Sequence, residues 1–133
     1  MPERYEAGTL STPAIASLLP GIALVKEYGI EAIAAHERRL FDALLERLCS
    51  LPHIHVYAPE ARGAVLLFHC DRFCSTELAA LLGLRGICVR AGYHCAPMAH
   101  KALGTPQDGA VRLSFGIFNR REDADAVWKA LKA

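Results

Sequence analysis

The hydrophobic period of this chain changes at Pro52 from helical to alternating, and that change confines it to a mixed fold. Before Pro52, apolar residues recur every three or four positions: Ile15, Leu18, Leu19, Ile22 and Val25, then Ile33, Leu40, Phe41, Leu44, Leu45 and Leu48. That is the pattern of helices with one apolar face. After Pro52, residues 53–57 alternate, with Ile54 and Val56 on one side, as a half-buried strand does. The first helix is predicted to start with Thr12 as N-cap and Pro13 at the first helical position, and to stop at Gly29. Pro20-Gly21 lies inside it and is placed to kink it. The second is predicted over about Ile30 to Leu51, with Glu37, Arg38, Arg39, Glu46 and Arg47 on the solvated side.

The remainder reads as short elements. Pro59 to Gly63 has turn composition, and Ala64 to His69 is a short apolar strand. Ser75 or Thr76 is predicted to cap a helix through Leu82, and Gly83 and Gly86 bracket a connection to a strand at Ile87-Cys88-Val89. A short helix is predicted near Met98 to Leu103, and a strand over Ala110 to Phe115. Asn119 and Glu122 have capping-box spacing before a last helix with Val127, Trp128 and Leu131 inward. The expected fold is one α+β domain over residues 1–133, with helices packed on one face of a small mixed or antiparallel sheet.

Composition narrows the function. The chain has 133 residues, 53% of them hydrophobic, which is enough for a real core and argues against disorder. A net charge of +1 with signs interspersed offers no basic stripe for nucleic acid. No apolar run approaches the ~20 residues that span a bilayer. The polar start, Met1 to Glu6, reads as neither signal peptide nor anchor. Cys49, Cys70, Cys74, Cys88 and Cys95 make an odd set, which suits reduced thiols in a cytoplasm.

The chemistry-bearing segment is Arg90-Ala91-Gly92-Tyr93-His94-Cys95-Ala96-Pro97. A thiol is a nucleophile only as thiolate, and a nearby cation or imidazole on an exposed loop favours that form. Cys95 is thus either a loop nucleophile assisted by His94 or a half-buried cysteine with no role. Arg90 and Arg112 lie at or near predicted strand ends. They are either forks for a carboxylate or phosphate, or surface arginines paired with acids. Val111 and Leu113 flank Arg112, so its side chain points opposite to theirs. Glu6-Ala7-Gly8-Thr9 offers backbone N–H groups and a hydroxyl to an anion, or is an ordinary helix lead-in. His94, Cys95 and His100, or His69, Cys70 and Cys74, could be zinc ligands, but neither set has a standard ligand spacing and no metal is expected. His36, His53 and His55 read as surface or strand-end histidines.

The segment RAGYHCAP resembles the active-site loop of the SufS-like (group II) cysteine desulfurases, pyridoxal-phosphate enzymes of the class V aminotransferase superfamily. ERYEAGTLSTP is similar to the motif opening that family's C-terminal third, and VRLSFGIFNRRED to its terminal motif. HCAPMAHKALGT narrows the likeness to the desulfurase branch. The resemblance implies the C-terminal small domain of a fold-type I enzyme. It implies that Cys95 takes sulfur from L-cysteine as a persulfide, with His94 beside it. It also implies that Arg112 grips the substrate carboxylate, that Arg90 lines the site, and that Gly8 and Thr9 reach the cofactor phosphate of the other subunit of a homodimer. A sulfur-acceptor protein and iron–sulfur cluster assembly follow as expectations. The family's Schiff-base lysine, pyridine aspartate and stacking histidine belong to its first two thirds and match nothing here. No covalently bound cofactor and no independent turnover are therefore expected. A selenocysteine lyase, an aminotransferase-like paralogue or a non-catalytic sulfur carrier would share these residues.

Overall fold

The computed structural model describes residues 8–57 and 63–132. The expected turn at 59–62 and the Glu6-Ala7 half of the anion-binding lead-in lie outside the described residues. The chain divides into two compact units, residues 1–33 and 34–133.

In the first unit, α1 (Thr12–Tyr28) is preceded by Ser11 at the N-cap. Thr12 is therefore the first helical residue rather than the cap. Pro13 is still tolerated, because the first-turn N–H groups have no intrahelical partner to lose. Pro20 lies inside the helix without ending it. Gly29 does end it, at φ 82°, where its N–H bonds the Val25 carbonyl at 2.9 Å. No α1 residue is buried, and Ile15, Leu18, Leu19 and Ile22 are all exposed. Next comes α2 (Ile30–Cys49), whose buried positions are Leu40, Phe41, Leu44, Leu45 and Leu48.

The second unit continues through β1 (Ile54–Tyr57), β2 (Val65–Cys70), α3 (Ser75–Leu84), β3 (Arg90–Gly92), α4 (Pro97–Leu103), β4 (Ala110–Ser114) and α5 (Arg121–Lys132). The four strands form one sheet in the order β1-β2-β4-β3, every neighbour antiparallel. Its inner face carries Ile54, Leu66, Phe68, Cys70, Val111 and Leu113. These join the α2 stripe, Leu78 and Leu82 of α3, and Ala124, Val127 and Leu131 of α5 in one core. Each fully buried side chain, such as Phe41 or Leu44, stabilises by roughly 1.5–3 kcal/mol. The α+β expectation holds: α2, α3 and α5 cover one face of an antiparallel sheet.

Three local expectations are corrected. The strand expected at Ile87-Cys88-Val89 is unpaired, and the β3 ladder begins at Arg90. Ile87 and Val89 pack on the core while Cys88 is exposed. Alternation reports which side is buried, not whether a neighbouring strand supplies hydrogen bonds. The α3 cap is Cys74, whose N–H donates to Glu77 Oε2 at 3.0 Å, not Ser75 or Thr76. Ser75 instead donates its hydroxyl to the Asp108 carbonyl at 2.6 Å. At α5 the capping acid is Asp123, which accepts from the Arg120 N–H at 2.9 Å, rather than Glu122. Asn119 is used one turn earlier, accepting from the Gly116 N–H at 2.9 Å.

Candidate functional site

The outer sheet face carries a row set by register: Tyr57 of β1 opposes Leu67 of β2, Leu67 opposes Arg112 of β4, and Arg112 opposes Arg90 of β3. Arg112 thus points away from Val111 and Leu113, as the alternation predicts. Short helix α4 brings Ala99, His100 and Leu103 to this face. With Tyr57, Leu67, His94 and Arg112 they line an open cavity of about 380 Å³.

The turn between β3 and α4 presents Cys95. The Ala96 N–H donates to the Tyr93 carbonyl at 2.9 Å, and both central residues have positive φ, 53° at His94 and 60° at Cys95. This is a tight turn of left-handed residues, normally built from Asn and Gly. For ordinary L-residues the left-handed region costs roughly 1–2 kcal/mol each. The fold holds the strain from several sides. The Tyr93 hydroxyl donates to the Gln107 carbonyl at 2.5 Å. His94 Nδ1 lies 3.3 Å from His100 Nε2, and His100 Nδ1 lies 2.9 Å from Thr105 Oγ1. Tyr93 meets the His100 ring edge-on at 5.2 Å between centroids. His100 is only 3% exposed, so it anchors the turn from beneath while Cys95 stays exposed.

The site holds the His94 pKa below the ordinary histidine value. Burial lowers its pKa, and the charges of Arg112, His100 and Arg90 lower it further, against a raising backbone hydrogen bond at Arg90. Among the described residues, His94 Nε2 and Arg112 Nε are buried without a hydrogen-bond partner. Buried polar atoms left without a partner are costly unless a ligand completes them, and Arg112 Nε is a donor under any conditions. Both residues line the same cavity, and the Arg112 guanidinium makes its chemistry fit an anion such as an amino-acid carboxylate. Gly8 has φ 87° and both it and Thr9 are exposed in the first unit, leaving a backbone N–H and a hydroxyl available to a phosphate.

The structure therefore brings His94 and Arg112 to one cavity. It sets Arg90 beside Arg112 and holds Cys95 between two cavity-lining residues, His94 and Ala96. Gly8 and Thr9 lie in the other unit. Neither zinc set assembles. His69 and Cys70 are adjacent on a strand and face opposite sides, with Cys70 buried in the core. His94 and His100 contact each other rather than converging with Cys95. His36 is half-buried on α2 rather than a surface residue, and its Nε2 donates to the Asn119 carbonyl at 2.9 Å; His53 stands just before β1, a strand-end histidine as expected, half-buried with Nε2 donating to the Leu131 carbonyl at 3.1 Å. Sequence reasoning missed Tyr57 as a site residue, because only cross-strand register brings it in. His100 and Thr105 lie within HCAPMAHKALGT, but His100 was weighed only as a zinc ligand, and the packing of α4 is what sets the pair beneath the turn.

The family profile described as "Aminotransferase class-V" matches residues 1–127. A protein of Halobacterium salinarum named "Probable cysteine desulfurase" is 34% identical over 98% of this chain and 31% of its own length. The apo structure of a cysteine desulfurase from Thermococcus onnurineus NA1 superposes with a TM-score of 0.89 at 30% identity, covering 98% of this chain and 33% of that one. The Escherichia coli cysteine desulfurase CsdA, in its S-sulfonic acid form, superposes with a TM-score of 0.86 at 26% identity, covering 96% and 31%. The chain thus spans about a third of the length of the curated relatives it matches.

Proposed function

Since the chain belongs to the class-V aminotransferase family, we propose that it is the carboxyl-terminal domain of a SufS-like cysteine desulfurase that converts L-cysteine to alanine and an enzyme persulfide. One observation carries this reading. An exposed thiol sits on a strained turn beside a cavity where Arg112 and His94 hold unpartnered buried polar atoms. Pyridoxal phosphate, when bound, supplies the electron sink for chemistry at the substrate. Gly8 and Thr9 would contact its phosphate.

This chain's own residues do the positioning. Arg112 grips the substrate carboxylate and Arg90 adds positive charge beside it. Cys95, exposed on its turn beside His94, gives its proton to solvent, and the thiolate sulfur attacks the substrate sulfur. The substrate carbon–sulfur bond breaks, its electron pair stays with carbon, and a proton completes the methyl group of alanine. Cys95 is left bearing the second sulfur, which an acceptor protein then collects for uses such as iron–sulfur cluster assembly. The exposed apolar residues of α1 support an assembled state, a homodimer in the whole enzyme. Five cysteines with no disulfide among them support a reducing, cytoplasmic setting. Among the described residues no helix is long and apolar enough to cross a membrane.

The test assembles the chain with a large domain supplied in trans, adds pyridoxal phosphate and L-cysteine, and weighs the intact protein. A gain of one sulfur that disappears in Cys95→Ser is the expected result. No gain from a formed complex, or a gain that survives Cys95→Ser, overturns the assignment.

A further inference from the structure

A second cluster of donor atoms lies on the same sheet face, towards the β1 edge, and the chemistry above does not use it. His55 and His69 oppose each other directly across the β1–β2 ladder. Their rings stack with centroids 4.5 Å apart and planes 13° from parallel. Asp71 follows His69 by two residues. His55 Nε2 lies 2.9 Å from Asp71 Oδ2 and His69 Nε2 lies 3.7 Å from Asp71 Oδ1. One ligand atom from each residue falls within 4.8 Å of the others, the only such group of three among the described residues. In a tetrahedral site with bonds of about 2.0–2.1 Å, donor atoms sit roughly 3.3 Å apart. Two contacts, 2.9 and 3.7 Å, bracket that spacing and all three donors lie within 4.8 Å, so the exposed His55 ring has to turn out of its stack on His69 for the lone pairs to converge.

Three further features suit a cation. Tyr57 Oη is 3.0 Å from His69 Nδ1. When Nδ1–H donates to that oxygen, Nε2 keeps its lone pair for a metal, the orienting role that outer hydrogen bonds play in metal sites. His69 is half-buried on β2, so its ring is held by the sheet while His55 and Asp71 stay exposed around it. Among the described residues Asp71 pairs with the two histidines and with no Lys or Arg. Its carboxylate therefore faces only the two imidazoles, the same groups that would share a metal with it.

We propose that His55, His69 and Asp71 form a binding site for a divalent transition-metal ion of the Zn(II) class. Two imidazoles and one carboxylate match that ion's preferences and leave a position for water. The ion replaces the proton shared between His55 Nε2 and Asp71 and pins β1 to β2. The sequence hides the site because its donors come from two strands. Period-two alternation unites His69 with Asp71, and register adds His55.

The probes are Zn(II) by equilibrium dialysis and Co(II) by visible absorption, both on the full chain. One equivalent of Zn(II) is expected to bind, at least tenfold more weakly in Asp71→Asn and in His69→Ala, and unchanged in Cys95→Ser. Asp71 is exposed, so Asp71→Asn keeps the fold and the comparison interpretable. Tyr57→Phe is expected to weaken binding by about 10–100-fold, as loss of an outer-shell partner does. Equal affinity in wild type and Asp71→Asn overturns the proposal. So does a thiolate-to-cobalt charge-transfer band that vanishes in Cys95→Ser, which would put the ion on the cysteine turn.

Discussion

Gly109 is where the fold leaves least room, and Gly109→Ala tests how the cysteine turn is held. Gly109 has φ 80°, and a Cβ built there would meet Gly92 C at 2.4 Å, O at 2.5 Å and Cα at 2.8 Å. All three are backbone atoms of β3, so no flexible side chain can yield. The substitution carries roughly 1–2 kcal/mol for placing an L-residue in the left-handed region. Forcing β3 from β4 adds about 1–3 kcal/mol, the usual size of an overpacking penalty. Gly104→Ala is the matched control, because Gly104 has φ 67° and nothing within 4 Å of its would-be Cβ. It carries the conformational part alone. For a chain of this size 1 kcal/mol moves Tm by about 3–4 °C. Gly104→Ala should therefore lower Tm by roughly 3–8 °C and Gly109→Ala by roughly 6–20 °C. Thermal unfolding followed by circular dichroism reads both. Because β3 leads directly into the Cys95 turn, Gly109→Ala should also change the rate at which Cys95 reacts with a thiol reagent, while Gly104→Ala leaves it closer to wild type. Equal Tm losses in the two variants would refute the close-approach argument.

Other predictions rest on separate features. Cys95→Asn, a residue that tolerates positive φ, should match or slightly raise wild-type Tm, and β-branched Cys95→Val should lower it by a few degrees; the reverse order in thermal melts would contradict a left-handed turn. His100→Ala removes a buried ring bonded to Thr105 and should cost about 1–3 kcal/mol, read as a shift of the urea midpoint. An unchanged midpoint would show that the turn does not rest on His100. Burial lowers the folded pKa of both His69 and His94 below the ordinary histidine value of 6.5. The unfolded state then binds more protons, so stability is held above pH 6.5 and lost as pH falls through that value towards the folded pKa. Melts from pH 8 to 5 should show the loss, and His69→Asn should flatten it. Asp71 raises the His69 pKa, so Asp71→Asn should move the His69 titration still lower by NMR; an upward move would contradict the charge placement.

Most of the helices and the inner sheet face were legible because they follow from local periodicity. The five buried α2 residues were all in the predicted stripe, and the Val111/Leu113 alternation aimed Arg112 correctly. Helix starts slipped by one residue at Ser11, Cys74 and Asp123: at the last two, neighbouring polar residues compete for the same orphan N–H, while Ser11 makes no side-chain cap bond and the backbone alone sets the start. The Cys95 loop was visible in sequence, while its left-handed geometry was not: His and Cys carry no turn signal, and the conformation is imposed by His100, Tyr93 and the β3–β4 approach.

The sequence by itself determined the two periods and the mixed fold they require, and it singled out Cys95, Arg90 and Arg112 as candidate site residues. Tertiary structure alone decided which residues surround them. Tyr57 and His100 reach Arg112 through strand register and the packing of α4, and His55 meets His69 across a ladder 14 residues apart in sequence. Periodicity is a property of neighbours along the chain. Register and helix docking depend on hydrogen bonds and burial between distant segments, which no local pattern records.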